Sequence, residues 1–159
     1  MGRIELKPLQ LSDCEAVFEI AQKCIPEHWS LDSIRSVLKY ENNIYYVAHS
    51  IEQRIVVGYA GIMVIADEAE LLNIAVKPEF RRQGIGKILL GQMMQEARRA
   101  GAIRLLLEVR ESNLAARELY CQHQFAEIGT RREYYHNPVE DAVIMEHRFG
   151  TNITTGFYG

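Results

Sequence analysis

Apolar and polar positions follow two rhythms along this chain, and the switches between them mark its elements. Runs with a period of two, rich in β-branched and aromatic residues, predict strands at Arg3–Leu9, Ile44–Ser50, Arg54–Ala66, Glu70–Val76, Arg104–Arg110, Phe125–Tyr135 and Asp141–Phe149. A helical spacing gathers Val17, Ile20, Ala21 and Cys24 on one face of a helix opened by the capping-box pattern Ser12-Asp13-Cys14-Glu15. Ser30 is placed to cap a second helix reaching about Tyr40, with Leu31, Ile34, Val37 and Leu38 inward. A long amphipathic helix covers Ile88–Ala100 and stops at Gly101; a shorter one covers Asn113–His123. Asp67-Glu68-Ala69 turns the chain between the third and fourth strands. Helices and strands alternate in the middle, and strands pair at both ends. This order predicts an α/β fold, a mixed and mostly antiparallel central sheet flanked by helices on both faces.

The junction between the fourth strand and the long helix carries candidate chemistry. Leu71–Val76 is an apolar run that Pro78 ends, and Arg81-Arg82-Gln83-Gly84-Ile85-Gly86-Lys87 follows. Gly84 and Gly86 expose consecutive backbone N–H groups at the mouth of a helix, where the dipole favours an anion. Arg81, Arg82 and Lys87 supply countercharge, so a ligand carrying phosphate is expected here. A Walker loop requires four residues between its glycines and then Lys-Ser/Thr, which is absent. A dinucleotide fingerprint requires a third glycine where Leu89 stands, so that class is excluded too. The bland alternative is an ordinary turn before a helix.

Two further positions stand out. In Arg104–Arg110, alternation puts Leu105, Leu107 and Val109 on one face and Leu106 and Glu108 on the other. A carboxylate in the middle of such a strand is either a salt-bridge partner of Arg104 or Arg110, or a general base. Asn113 suits the N-cap of the next helix, and Tyr120, seven residues on, projects on the same side. Tyr120 is either a core aromatic or an acid facing that base. Tyr134 and Tyr135 alternate on a strand, so one can be core while the other lines a cleft.

Length and composition fit one soluble domain, and a net charge of −3 gives no basic footprint for nucleic acid. Cys14, Cys24 and Cys121 form no metal spacing and read as inert thiols of a reduced, cytoplasmic protein, with Cys121 as a packing residue. The five histidines show no metal spacing either, so no metal is expected. No apolar run approaches membrane-spanning length and no leader core is visible. Residues 1–150 read as the domain and Thr151–Gly159 as a flexible tail. Asp67, Glu68 and Glu70 form either a solvated hairpin or an acidic rim for a basic partner.

The loop Arg81-x-x-Gly84-x-Gly86 after Ile74-Ala75-Val76 resembles the acyl-CoA loop of the Gcn5-related N-acetyltransferases (GNAT). Glu70–Leu90, Leu107-Glu108-Val109-Arg110-x-x-Asn113, Leu119-Tyr120 and Arg131-Arg132-x-Tyr134-Tyr135 are similar to the RimI type of that superfamily, the ribosomal-protein-alanine N-acetyltransferases. His28-Trp29-Ser30 resembles that type's tryptophan-serine motif. The resemblance implies the GNAT fold and acetyl-CoA as co-substrate, with its pyrophosphate on the loop amides. It implies Glu108 as proton acceptor and Tyr120 as proton donor, best with a lowered pKa to match a leaving thiol. Ile74, Ala75, Val76, Arg81, Arg82, Gln83, Gly84, Ile85, Gly86, Lys87 and Asn113 become acetyl-CoA-binding positions. The acceptor implied is a protein N-terminus, that of a ribosomal protein, entering between two strands that diverge after Val76. Acetylation of a small amine or an internal lysine, or a non-catalytic acyl-CoA-binding module, are the competing readings; keeping both Glu108 and Tyr120 argues against the last. Gln124 stands where the family has glycine, and a left-handed backbone there would cost on the order of 1 kcal/mol.

Overall fold

The strands form where the period-two runs lie: β1 Ile4–Pro8, β2 Asn43–Ser50, β3 Ile55–Ile65, β4 Glu68–Val76, β5 Arg104–Arg110, β6 Ala126–His136 and β7 Val139–Arg148. Four helices accompany them: α1 Cys14–Cys24, α2 Leu31–Ser36, α3 Ile85–Arg99 and α4 Leu114–Gln122. In this computed structural model, which describes residues 2–150, the seven strands make one sheet in the order β1-β2-β3-β4-β5-β7-β6. The tail expected over Thr151–Gly159 lies outside the described residues. The sheet is mixed as predicted. β1/β2, β2/β3, β5/β7 and β6/β7 pair antiparallel, whereas β4/β5 is parallel. Among the described residues no helix is long and apolar enough to cross a membrane.

The chain divides into two units. The first comprises residues up to Met63 together with Leu71–Met94. Its core joins Val17, Ile20 and Ala21 of α1 and Ile34 of α2 to Tyr45, Val47, Val56, Tyr59 and Ala75 of the sheet. Trp29 packs on this cluster with its ring 6.5 Å from that of Tyr45, and Ser30 caps α2 by accepting the Ser33 N–H at 3.1 Å. The second unit comprises Val64–Glu70 and the chain from Gln95. There Leu105, Leu107 and Val109 of β5 are buried, as are Val143 and Met145 of β7.

Several boundaries differ from the sequence expectation. A 3-10 turn over Leu11–Asp13 precedes α1, and the capping box there belongs to Gln10 and Asp13, not to Ser12. The Asp13 carboxylate accepts the Gln10 N–H at 2.9 Å. Cys14 is fully buried on that helix, whereas Cys24 is only half-buried. α2 ends at Ser36 and tightens into a 3-10 turn over Val37–Lys39. Three residues per turn in place of 3.6 carries Leu38 off the inward face, leaving it 42% exposed. The β3–β4 turn is tighter than Asp67-Glu68-Ala69: Ala66 takes a left-handed φ of 56° and Glu68 already belongs to β4. α3 starts at Ile85, three residues early. It closes as expected at Gly101 (φ 93°), where the N–H groups of Gly101 and Ala102 bond the carbonyls of Arg98 and Ala97, each at 3.0 Å.

Candidate active site

In the first unit, β4 delivers the chain to the phosphate-type loop. Asn73 sits in the apolar run on the core side, and its amide oxygen accepts the buried Tyr45 hydroxyl at 2.7 Å. Gly61 makes room for that ring, because a Cβ there would lie 2.2 Å from Tyr45 ring atoms. Gly58 lets β3 pass close to the end of β4; its Cβ would meet the Ala75 carbonyl oxygen at 3.0 Å. Ala75 is buried, and Ile74 and Val76 are half-buried. Neither glycine belongs to a motif, and the period-two pattern of β3 gives no sign of their role.

Arg81 folds back on the strand end. Its Nε donates to the Val76 carbonyl at 3.2 Å, and Nη2 lies 3.2 Å from Cys24 Sγ. Its guanidinium therefore braces the loop, leaving exposed Arg82 and Lys87 as the uncommitted cations expected there. Of the two loop glycines only Gly84 has a left-handed φ (82°), since Gly86 lies within the first turn of α3. The Gly84 carbonyl accepts the Ile88 N–H at 3.2 Å, so Gly84 occupies the N-cap position. Helical geometry leaves the N–H groups of Ile85, Gly86 and Lys87 without intrahelical acceptors. A Cβ on Gly84 would meet nothing within 4 Å. Donors, dipole and open approach together suit an anionic group, while Ile85 is buried and anchors the turn.

In the second unit, β5 alternates as expected and Glu108 stands on its less buried face. The two arginines of this strand are engaged by other carboxylates. Arg104 bridges Glu68 at 2.6 Å and Glu146 at 2.7 Å, and Arg110 holds Glu140 at 3.1 Å while stacking 4.4 Å from the Tyr135 ring. Glu108 instead bonds the Arg131 guanidinium, and its side chain retains 17% exposure. The Tyr134 phenol lies near Glu108, and that carboxylate, with partial burial, pushes it up.

Strict alternation would put Arg131 and Tyr134 on opposite faces of β6. A bulge prevents that. The register slips between Arg131↔Ala142 and Tyr135↔Glu140, so four steps of β6 cover two of β7. Glu133 takes a φ of 51° inside the bulge, and its N–H donates to Asp141 at 2.8 Å. Tyr134 is exposed beside Arg131 and Tyr135 is half-buried, so neither is the core residue that alternation allowed. The arrangement can attract a cation and accept a proton from it. The sequence pointed to Arg131 only through its family motif, because a bulge of this kind leaves no period to read.

α4 carries the remaining residues. Asn113 is its N-cap, accepting the Ala116 N–H at 3.2 Å. Tyr120 is buried, its ring 5.6 Å from Phe125. Burial, and secondarily the neighbouring Tyr135, push its phenol up, opposite to the lowered pKa expected of a donor. Gln124 has the left-handed φ (62°) of a glycine site. Its N–H bonds the Cys121 carbonyl and the Phe125 N–H bonds the Tyr120 carbonyl, each at 3.0 Å, closing the helix in a Schellman motif. Cys121 is exposed, so the packing role expected of it does not hold. The hairpin acids also separate: Asp67 is exposed, Glu68 is tied to Arg104, and Glu70 is half-buried on β4. The β4–β5 ladder ends at Glu70↔Leu106, well before Val76.

A model of the acetyltransferase (GNAT) family matches residues 14–125. The chain is 34% identical over 143 residues to a Haemophilus influenzae protein named ribosomal protein bS18-alanine N-acetyltransferase, covering 88% of this chain and 95% of that one. The fold matches the crystal structure of the ribosomal-protein-S18-alanine N-acetyltransferase from Escherichia coli with a TM-score of 0.86 at 32% identity, covering 98% and 99% of the two chains. It also matches Arabidopsis thaliana NAA60 in complex with acetyl-CoA, with a TM-score of 0.83 at 16% identity over 92% and 99%.

Proposed function

The chain belongs to the acetyltransferase (GNAT) family, and on that premise we propose that it transfers the acetyl group of acetyl-CoA to the N-terminal α-amine of a protein, an alanine of a ribosomal protein. The observation that carries this reading is the Glu108 carboxylate, held by Arg131 on the less buried face of β5. A cytoplasmic setting and an acetyltransferase domain over residues 1–150 accompany the proposal.

Acetyl-CoA supplies a thioester whose carbonyl an amine can attack and whose thiol can leave. The first-turn N–H groups of Ile85, Gly86 and Lys87, with Arg82 and Lys87 as cations, are assigned to its pyrophosphate, and Gly84 keeps the approach clear. Gln83 and Asn113 are further acetyl-CoA positions in this assignment, and Arg81 serves it by bracing the loop. Backbone N–H groups in Ile74–Val76 are the donors for the thioester carbonyl oxygen. An N-terminal amine has a pKa of about 7.7–8.0 and arrives largely protonated, so Glu108 removes a proton before attack. Tyr120 is assigned to the departing sulfur. Because its phenol is pushed up, it keeps its proton at neutral pH and stabilises a thiolate (thiol pKa about 8.5) by hydrogen bonding, while the second proton, lost by the acylated nitrogen, passes through water to the sulfur.

Glu108→Gln tests the assignment. On a peptide beginning with alanine, kcat should fall by about 10²–10⁴-fold while acetyl-CoA affinity stays unchanged. Tandem mass spectrometry of the wild-type product should place the acetyl group on the α-nitrogen. Acetyl found on lysine side chains or on small amines alone would overturn the reading.

A further inference from the structure

Glu70 has no role in the reaction as assigned above, yet the sheet brings it to the same face as Glu108. The β4–β5 ladder is parallel with Glu70 opposite Leu106, and side chains at paired positions share a face. Glu108 is two residues further along β5 and therefore on that face too. Strand spacing and rise put the two backbone positions about 8 Å apart, within reach of two glutamate side chains converging on one small cation.

We propose that Glu70 anchors the acceptor's α-ammonium beside Glu108, as a binding residue specific for a charged chain end. This deepens, and rests on, the α-amine acetyltransferase reading. Charge balance supports it. Arg104 neutralises Glu68, Arg110 neutralises Glu140, and Arg131 pairs with Glu108. Glu70 has no cation within 4.0 Å among the described residues, so Glu70, Glu108 and Arg131 carry one negative charge in excess. Burial, and then the charge of Glu108, push the Glu70 carboxyl up, and Arg131, already bonded to Glu108, offsets only part of that. A primary ammonium supplies the missing charge without displacing Arg131. An uncharged chain end does not.

The experiment compares wild type with Glu70→Gln, using an alanine-initiated peptide as substrate and its desamino analogue as competitive inhibitor. The KM for the peptide should rise roughly tenfold or more, with kcat changed less than about threefold. The acetyl-CoA dissociation constant and the inhibition constant of the desamino analogue should not move, and Glu70→Asp should recover part of the loss. An unchanged KM, equal weakening of peptide and desamino analogue, or loss of kcat at constant KM would each overturn the proposal while leaving the acetyltransferase reading intact. A wild-type enzyme inert on α-amines would overturn both.

Discussion

Gly84 and Gly101 stand at opposite ends of α3 with nearly the same backbone, φ 82° and 93°, and a Cβ on either would meet nothing within 4 Å. Alanine at either position should therefore suffer the same left-handed strain, about 1 kcal/mol, and lower the melting temperature by roughly 2–4 °C. Their effects on the ligand should differ completely. At Gly84 the methyl group occupies the approach to the first-turn N–H donors, and loss of one charge-assisted hydrogen bond costs about 1.5–3 kcal/mol. That predicts acetyl-CoA binding weaker by roughly 10- to 100-fold for Gly84→Ala and unchanged for Gly101→Ala. Calorimetric titration of both variants with acetyl-CoA, alongside thermal melts, gives the comparison. If both variants lose affinity equally, the loss is a consequence of strain in α3. If neither loses any, the pyrophosphate does not lie on this loop, and the assignment of Arg82–Lys87 is wrong.

Gln124→Gly should relieve left-handed strain of about 1–2 kcal/mol at an entropic cost of about 0.5–1, raising the melting temperature by roughly 1–3 °C with kcat unaltered; a lower melting temperature would contradict the strain argument. Tyr45, Tyr59 and Tyr120 are all pushed up by burial, so the folded state favours the neutral phenols. Stability from these groups is complete below their unfolded pKa of about 10 and is lost as pH rises beyond it. Urea midpoints should be flat between pH 7 and 9 and fall above about 10, and Tyr45→Phe should make that fall shallower; identical alkaline profiles in the two proteins would refute it.

The sequence was most legible where one residue meets one rule. Leu105, Leu107 and Val109 alternate into the core, Ser30 and Asn113 cap their helices, and Gly101 ends α3, each from local chemistry alone. It was least legible where conformation depends on a partner strand. The Arg131–Glu108 pair could not be read from spacing, and neither could the claims of Glu68 and Glu146 on Arg104 and of Glu140 on Arg110, because all of them are made across strands. The rise in the Tyr120 pKa was hidden for the same reason, since burial is a property of the packed helix. Leu38 was misplaced because a 3-10 turn and an α-helix share the same residues and differ only in pitch.

The bulge in β6 has an evolutionary consequence. All but one of the eleven residues of this strand are exposed, so most of its side chains are free to vary without disturbing a core. Its length is not free in that way. The two surplus residues between Arg131 and Tyr135 are what turn a guanidinium and a phenol toward one carboxylate. Deleting one residue there would reverse the facing of everything beyond it while leaving composition almost untouched. Among descendants of this chain, β6 should tolerate wide substitution and yet resist any change in residue count.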